Sequence, residues 1–391
     1  MNAKSRVLKK LGWFLFWILI LHFVVEVTGH RYLYNTLAST VFQGRLGPGI
    51  LEYNDMPNRA IEKGEAQPWK ISADYNTASF DQDELDFHKE FGTVSYLVIK
   101  DDEIVFEEYW DDFDDESISN SFSMAKSVVG ALTGIAIKKG HIESVDKPVY
   151  WYLPQYETEL GKQMTIRHLL TMSSGINFDE SYLNPFSFPA RANYGDNLEL
   201  LLRNYEVTEK PGETFNYQSG GTQVLAFALK SATRTSLAEY ASENLWKPLG
   251  ADHEALWSLD HENGTEKAFC CINATARDFA RIGKLYLNHG KWNGQQIVDS
   301  AYVAASIAQQ KGLKNEDGSQ CDIYGYSWWL GEHQEKEFFM MRGILGQYVI
   351  VVPEDDMIVV RMGHKRKKGI GRPHPEDVYR YLDMALRIIA E

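Results

Sequence analysis

The chain has 391 residues, of which 44% are apolar and 24% charged, and its formal net charge is −14. That composition is ordinary for a folded globular protein, and the length predicts two packed subdomains rather than one small core. The acidic balance excludes a broad phosphate-binding face, so no nucleic-acid partner is expected. The one dense basic cluster, His364-Lys365-Arg366-Lys367-Lys368, reads as a solvated loop.

In chain order, the first predicted element is an apolar run from Leu11 to Val25, preceded by Lys4, Arg6, Lys9 and Lys10. The run is slightly short of the ~20 residues that cross a bilayer, and its flank can extend it. A cleaved signal peptide and an uncleaved anchor both fit. After the run the chain reads Glu26-Val27-Thr28-Gly29-His30-Arg31, without small-x-small spacing, which favours the anchor. Basic residues ahead of the run keep that end cytoplasmic, so residues 1–30 are expected to tether a body lying outside the cytoplasm, in a bacterial periplasm. Residues 31–75, with Gly44, Gly47, Pro48, Gly49, Pro57 and Pro68, read as an irregular arm.

The body is expected over 76–391. Residues 93–99 and 104–109 read as two strands joined by Asp101-Asp102. The acidic stretch 111–116 lacks the glycine and ligand spacing of a calcium loop and reads as solvated. A helix is predicted from Ser121–Ser123 to Lys139, stopped by Gly140. Residues 145–300 look mainly helical. The β pattern returns at 326–330, 338–341, 348–352 and 357–362, and an amphipathic helix closes the chain over 375–391. Strands at both ends with helices between predict an α+β fold: an antiparallel sheet flanked by helices, with an inserted, mainly helical subdomain and a cleft between the two. Three cysteines, Cys270, Cys271 and Cys321, show no CxxC spacing. Adjacent cysteines rarely bridge each other, and a bridge from either to Cys321 stays open. No metal or organic cofactor is expected.

Ser123-Met124-Ala125-Lys126 matches Ser-x-x-Lys, and so does Ser144-Val145-Asp146-Lys147. Context separates them. Ser144 sits in a polar turn, whereas Ser123 opens a helix of small and apolar residues. Residues three apart share a helical face, so the lysine amine reaches the serine hydroxyl. The helix start aims N–H groups and partial positive charge at the nucleophile. Burial disfavours the charged form of an amine, and a neutral amine can take the serine proton. The bland alternative is a capping serine with a snorkelling lysine. A second motif, Tyr217-Gln218-Ser219, precedes a helix opening at Gly220-Gly221. Its phenol is placed to relay a proton among Ser123, Lys126 and a leaving group, and Ser219 adds a hydroxyl.

Together these stretches resemble the serine β-lactamase and penicillin-binding-protein superfamily, in its class C and esterase-like branch. Ser123–Lys126 matches the first motif and Tyr217-x-Ser219 a Tyr-x-Ser variant of the second. Residues 165–175 and 275–283 resemble further segments common in that superfamily, and the likeness covers about 90–390. The third motif, Lys-Thr-Gly or His-x-Gly, is absent. The matching region reads Met341-Arg342-Gly343-Ile344-Leu345-Gly346-Gln347, which is similar to the 6-aminohexanoate-dimer hydrolase branch. The resemblance implies a β-lactamase/transpeptidase-like fold and a serine hydrolase acting on a small-molecule ester or amide through an acyl-enzyme on Ser123. It further implies an oxyanion hole from the N–H groups of Ser123 and Ile344, with substrate contacts at Ser219, Tyr182 and Gly343. Arg342 either replaces the lost cation or faces outward from its strand, and Trp328 or Trp329 either lines the cleft or packs in the strand core. Two rivals are weighed. One is a D-alanyl-D-alanine peptidase or β-lactamase, against which the lost cation argues. The other is a non-catalytic penicillin-binding-like receptor, against which the joint presence of Ser123, Lys126 and Tyr217 argues.

Overall fold

A computed structural model describes residues 3–45, 47–182, 184–369 and 371–391. Helix α1 (Ala3–Val27) is almost wholly exposed and apolar over Lys9–Val27, and α2 (Tyr32–Ser39) follows directly. Strands β1 (Asn58–Ile61) and β2 (Lys70–Ile71) come next, so the stretch read as an irregular arm holds a helix and two strands. Its strands are short and find their partners far away in sequence, which is why local pattern hid them.

Helix α3 (Gln82–Glu90) opens with a capping box between Asp81 and Glu84. Strands β3 (Thr93–Lys100) and β4 (Glu103–Tyr109) form the expected hairpin. Asp101 and Asp102 both take positive φ, +49° and +67°, as a tight primed turn requires. Next come β5 (Ser119–Asn120), then a single 3₁₀ turn at Phe122–Met124, then α4 (Ala125–Lys138), which ends before Gly140 at φ +75°. Every residue of α4 from Ala125 to Ala136 is buried, as expected of a helix apolar on all sides.

The middle of the chain carries α5 (Ile166–Leu170), α6 (Phe188–Tyr194), α7 (Leu198–Leu202), α8 (Ser219–Thr233) and α9 (Leu237–Ala241). Strands β6 (Ala255–Ser258) and β7 (Ile272–Ala274) and helix α10 (Ala276–Leu287) follow. The minor hairpin β8 (Lys291–Trp292) and β9 (Gln295–Gln296) and helix α11 (Ser300–Ser306) lead back to the main sheet. Its remaining strands are β10 (Trp329–His333), β11 (Lys336–Gly343), β12 (Gln347–Val352) and β13 (Met357–Gly363), with α12 (Glu376–Ala390) last.

The main sheet runs β10-β11-β12-β13-β3-β4-β2, antiparallel except for the parallel edge pair β2–β4. Alternation sorts its side chains into two cores. Leu97, Ile99, Val349 and Val351 face α4 and α10. Tyr96, Val98, Tyr348 and Ile350 face α12, which presents Val378, Leu382 and Ala385 at helical spacing. Helix α10 lies close because residue 283 is glycine: a Cβ there would stand 3.0 Å from Val349.

A second sheet, β1-β6-β7-β5, draws only the short strands β6 and β7 from 145–300, a stretch that is otherwise mainly helical with long loops, as expected. Cys270 bonds to its neighbour Cys271, and Cys321 is a buried free thiol, so neither possible bridge to Cys321 forms.

Candidate active site

The second sheet fixes the nucleophile segment. The Ser121 N–H donates to the Ile272 carbonyl at 2.7 Å, and the Ser121 hydroxyl accepts from the Ile272 N–H at 3.2 Å. Asn120 Oδ1 accepts the Phe122 N–H at 2.8 Å. Phe122 then takes φ +44°, a conformation that costs a non-glycine residue about 1–3 kcal/mol. The chain thus turns sharply just before Ser123 and enters α4 with the serine facing a cavity.

Lys126 is 1% exposed and stands one helical turn on. Its Nζ lies 3.1 Å from Ser123 Oγ, 2.8 Å from the Phe269 carbonyl and 3.4 Å from Ser219 Oγ. Ser219 is held by Glu180: its N–H donates to Oε2 at 2.8 Å and its hydroxyl to Oε1 at 2.6 Å. The Tyr182 hydroxyl donates to the same Oε1 at 2.8 Å. Burial of that hydroxyl and the adjacent Glu180 charge push it well above the usual phenol range. Tyr182 as a whole is 55% exposed, so the residue reaches from solvent to the site.

Tyr217 approaches differently from the expected relay. Lys126 Nζ sits 5.1 Å from the centre of its ring, over the face, while the ring packs on Trp329 at 5.0 Å and near Tyr324 at 6.0 Å. Aromatic packing therefore sets where the phenol lies. The second Ser-x-x-Lys pair is superficial: Lys147 meets Glu143 at 2.8 Å and covers the Trp151 ring.

Ser123, Ser219, Tyr182 and Ile344 line one cavity of about 200 Å³. Trp328 and Arg342 do not. Trp328 is fully buried against Tyr286 and Phe339, because Ser327 at φ +62° turns the chain and the strand starts at Trp329. Arg342 alternates with Met341 across β11, so it falls on the opposite face. There it stacks on Trp329 and bonds His374 Nδ1 at 3.0 Å. Burial lowers its guanidinium to about 10. Burial, with the Arg342 charge beside it, lowers the His374 imidazole to about 4. Gly343 contributes backbone: a Cβ there would collide with the Ser121 carbonyl. The turn after it is pinned by fully buried Arg361, which donates to the carbonyls of Leu345 at 3.0 Å and Gly346 at 2.9 Å.

Glu180, the Phe269 carbonyl and the Cys270 wall escaped sequence reasoning. Their links to Ser219, Lys126 and the cavity span long loops, and a lone glutamate in a polar stretch carries no local signal. Among the described residues no cluster of His, Cys, Asp or Glu is placed to hold a metal.

A β-lactamase family model matches residues 80–378. The chain therefore belongs to the β-lactamase family and is a serine hydrolase. It is 27% identical over 289 residues to a 6-aminohexanoate-dimer hydrolase of Paenarthrobacter ureafaciens, covering 69% of this chain and 72% of that one. Over 189 residues it is 26% identical to a putative D-alanyl-D-alanine carboxypeptidase of Escherichia coli, covering 42% and 43%. Among solved structures, a putative 6-aminohexanoate-dimer hydrolase from Bacillus anthracis superposes with a TM-score of 0.71 at 22% identity, covering 86% and 90%. A family VIII carboxylesterase superposes at 0.62 with 14% identity, covering 82% and 99%. The sheet, its flanking helices and the nucleophile helix are thus those of the β-lactamase/transpeptidase-like fold.

Proposed function

We propose that the chain hydrolyses an ester or amide through an acyl-enzyme on Ser123, with Lys126 as the base. The observation that carries this reading is the set of partners around Lys126 Nζ. A neutral amine has two hydrogens and one lone pair. The Phe269 carbonyl and Ser219 Oγ take the hydrogens, which leaves the lone pair for the Ser123 O–H at 3.1 Å. The alkoxide oxygen attacks the carbonyl carbon while its proton passes to Lys126. The oxyanion rests on the N–H groups of Ser123 and Ile344, an arrangement whose single donors are each worth about 10²–10³ in rate. Tyr217 passes a proton to the departing oxygen or nitrogen as the C–O or C–N bond breaks, and the Lys126 ammonium returns one to Tyr217, which restores the neutral amine. Lys126 then takes a proton from the water that attacks the acyl carbon, and passes it to Ser123 Oγ as the acid leaves. Glu180 is a positioning residue: it orients Ser219, which orients the lysine.

A lactam or a peptide ending in a carboxylate is disfavoured, because the third-motif cation is absent and Arg342, stacked on Trp329, is engaged by His374. The apolar helix α1 is taken as an anchor that holds the hydrolase at a membrane, with the body in the periplasm. Ser123→Ala is expected to abolish turnover of p-nitrophenyl butyrate and labelling by a fluorophosphonate probe. Labelling that persists at another serine sinks the assignment.

A further inference from the structure

The cavity beside Ser123 has a wall that the family core does not supply. Thr36 and Thr40 at the end of α2, then Gly47 and Pro48, close it on one side, facing Pro185 and Ala190. Among the described lining residues none carries a charged side chain. At ~30 Å³ for a water-sized group, about 200 Å³ holds about seven groups of methylene size.

That wall is also the first structure after the apolar helix. Only residues 28–31 separate α1 from α2. His22 Nδ1 meets the Tyr34 hydroxyl at 2.8 Å, and the His30 ring packs against Phe186 at 5.5 Å. Asn35 Nδ2 donates to the Tyr194 carbonyl at 3.0 Å, which fastens α2 to the opposite wall. The end of α1 is therefore held beside the cavity mouth. Large apolar side chains are exposed next in sequence to the lining residues: Phe42 at 78%, two residues after Thr40, and Phe186 at 55%, directly after Pro185 and against His30. Isolated exposed apolar residues need no explanation, but a rim of them next to a helix long and apolar enough to cross a membrane is suited to the bilayer surface.

We propose that this cavity receives the apolar acyl chain of an uncharged ester or amide that resides in the membrane, taken up past the rim formed by Phe42 and Phe186. The assignment rests on the acyl-enzyme reading and on α1 as an anchor. It also orients the substrate. Tyr217 lies outside the cavity lining, on the Trp329 side of Lys126, so the leaving group departs toward Tyr217 while the acyl chain stays in the cavity. An acyl chain ending in an ammonium or a carboxylate meets no charged lining side chain there, the Glu180 carboxylate behind Tyr182 and Ser219 being already taken by their hydroxyls, and must shed its hydration.

The test uses the full chain in phosphatidylcholine vesicles with p-nitrophenyl esters from acetate to dodecanoate, alongside fluorophosphonate labelling of Ser123. The expected kcat/KM rises about fourfold per methylene up to six to eight carbons and then levels. The 6-aminohexanoyl ester is expected at least about tenfold below the hexanoyl ester. Ala190→Trp, at a partly exposed wall position, flattens the series. Phe42→Asp with Phe186→Asp lowers the dodecanoate-to-butyrate ratio by about tenfold or more. A series that is flat or falls from acetate in the parent chain, or a preference for the aminohexanoyl ester, overturns the proposal while labelled Ser123 leaves the hydrolase reading standing. A dodecanoate-to-butyrate ratio unmoved by the two aspartates overturns uptake past the rim. Absence of both labelling and ester turnover overturns the hydrolase reading, and this proposal with it.

Discussion

Glu180 offers the sharpest test of how the site is held together. Its two oxygens accept three hydrogen bonds, from the Ser219 N–H at 2.8 Å, the Ser219 hydroxyl at 2.6 Å and the Tyr182 hydroxyl at 2.8 Å. In Glu180→Gln one oxygen becomes an NH₂ group of nearly the same size. With the amide oxygen on the Ser219 N–H, the NH₂ group faces the Ser219 and Tyr182 hydroxyls, which must stop donating and turn to accept it. Hydrogen bonds to a charged group contribute about 1.5–3 kcal/mol and neutral ones about 0.5–1.5 kcal/mol. A loss of about 2 kcal/mol in the transition state is about 30-fold in kcat/KM. The assay is p-nitrophenyl butyrate hydrolysis from pH 6 to 10, with a thermal melt to show that the variant folds. Glu180 acts on Lys126 through Ser219, so adding Ser219→Ala should cost little more than either change alone. A Glu180→Gln enzyme within twofold of the parent, or strictly additive effects in the double variant, refutes the relay from Glu180 to Lys126.

Ile344→Pro deletes one proposed oxyanion donor. Gly343 before it lies at φ −111° and ψ 161°, which a following proline tolerates, so the expected result is a 10²–10³-fold fall in kcat for a protein that still melts cooperatively. Arg361→Met strands the carbonyls of Phe91, Leu345, Gly346 and Lys365 in the core, and is expected to cost about 3–5 kcal/mol in urea unfolding and to lower activity through the misplaced Ile344 turn. Burial, and secondarily the Arg361 charge, lower the His88 imidazole to about 3. The unfolded chain binds a proton there near pH 6.5 and the folded one does not, so stability rises with pH between about 3 and 6.5 and falls on acidification through that window. At pH 4 the loss from this residue is about 3 kcal/mol, and His88→Phe should flatten the slope of urea-derived stability against pH.

What was legible in the sequence is what local spacing controls. The β3–β4 hairpin is written in two short apolar runs around an aspartate pair able to take positive φ. The β11–β13 strands are likewise short apolar runs, and α12 shows a period of 3.6. Ser123 and Lys126 are neighbours because three residues make nearly one turn, whatever the rest of the chain does. The second sheet was hidden because its strands are two to four residues long and pair across great distances, Asn58 with Ser258 and Ser119 with Ala274. Trp328 and Arg342 were placed at the substrate because they flank the right motif, but one positive-φ serine and one step of strand alternation aim them into the core and the opposite face.

The same division explains why the motif alone underdetermines the chemistry. A serine and a lysine on one turn of any helix lie about as close. The difference here is what surrounds the amine: a carbonyl from residue 269 and a hydroxyl from residue 219, the latter locked by a carboxylate at 180. Each arrives from a separate loop, and each removes one way for the nitrogen to point other than at Ser123. Delete the carbonyl or unlock the hydroxyl and the amine can turn its lone pair elsewhere, with the Ser-x-x-Lys spacing untouched. Under the proposed mechanism, catalytic competence rests less on the pair the sequence displays than on long-range contacts that restrict its orientation.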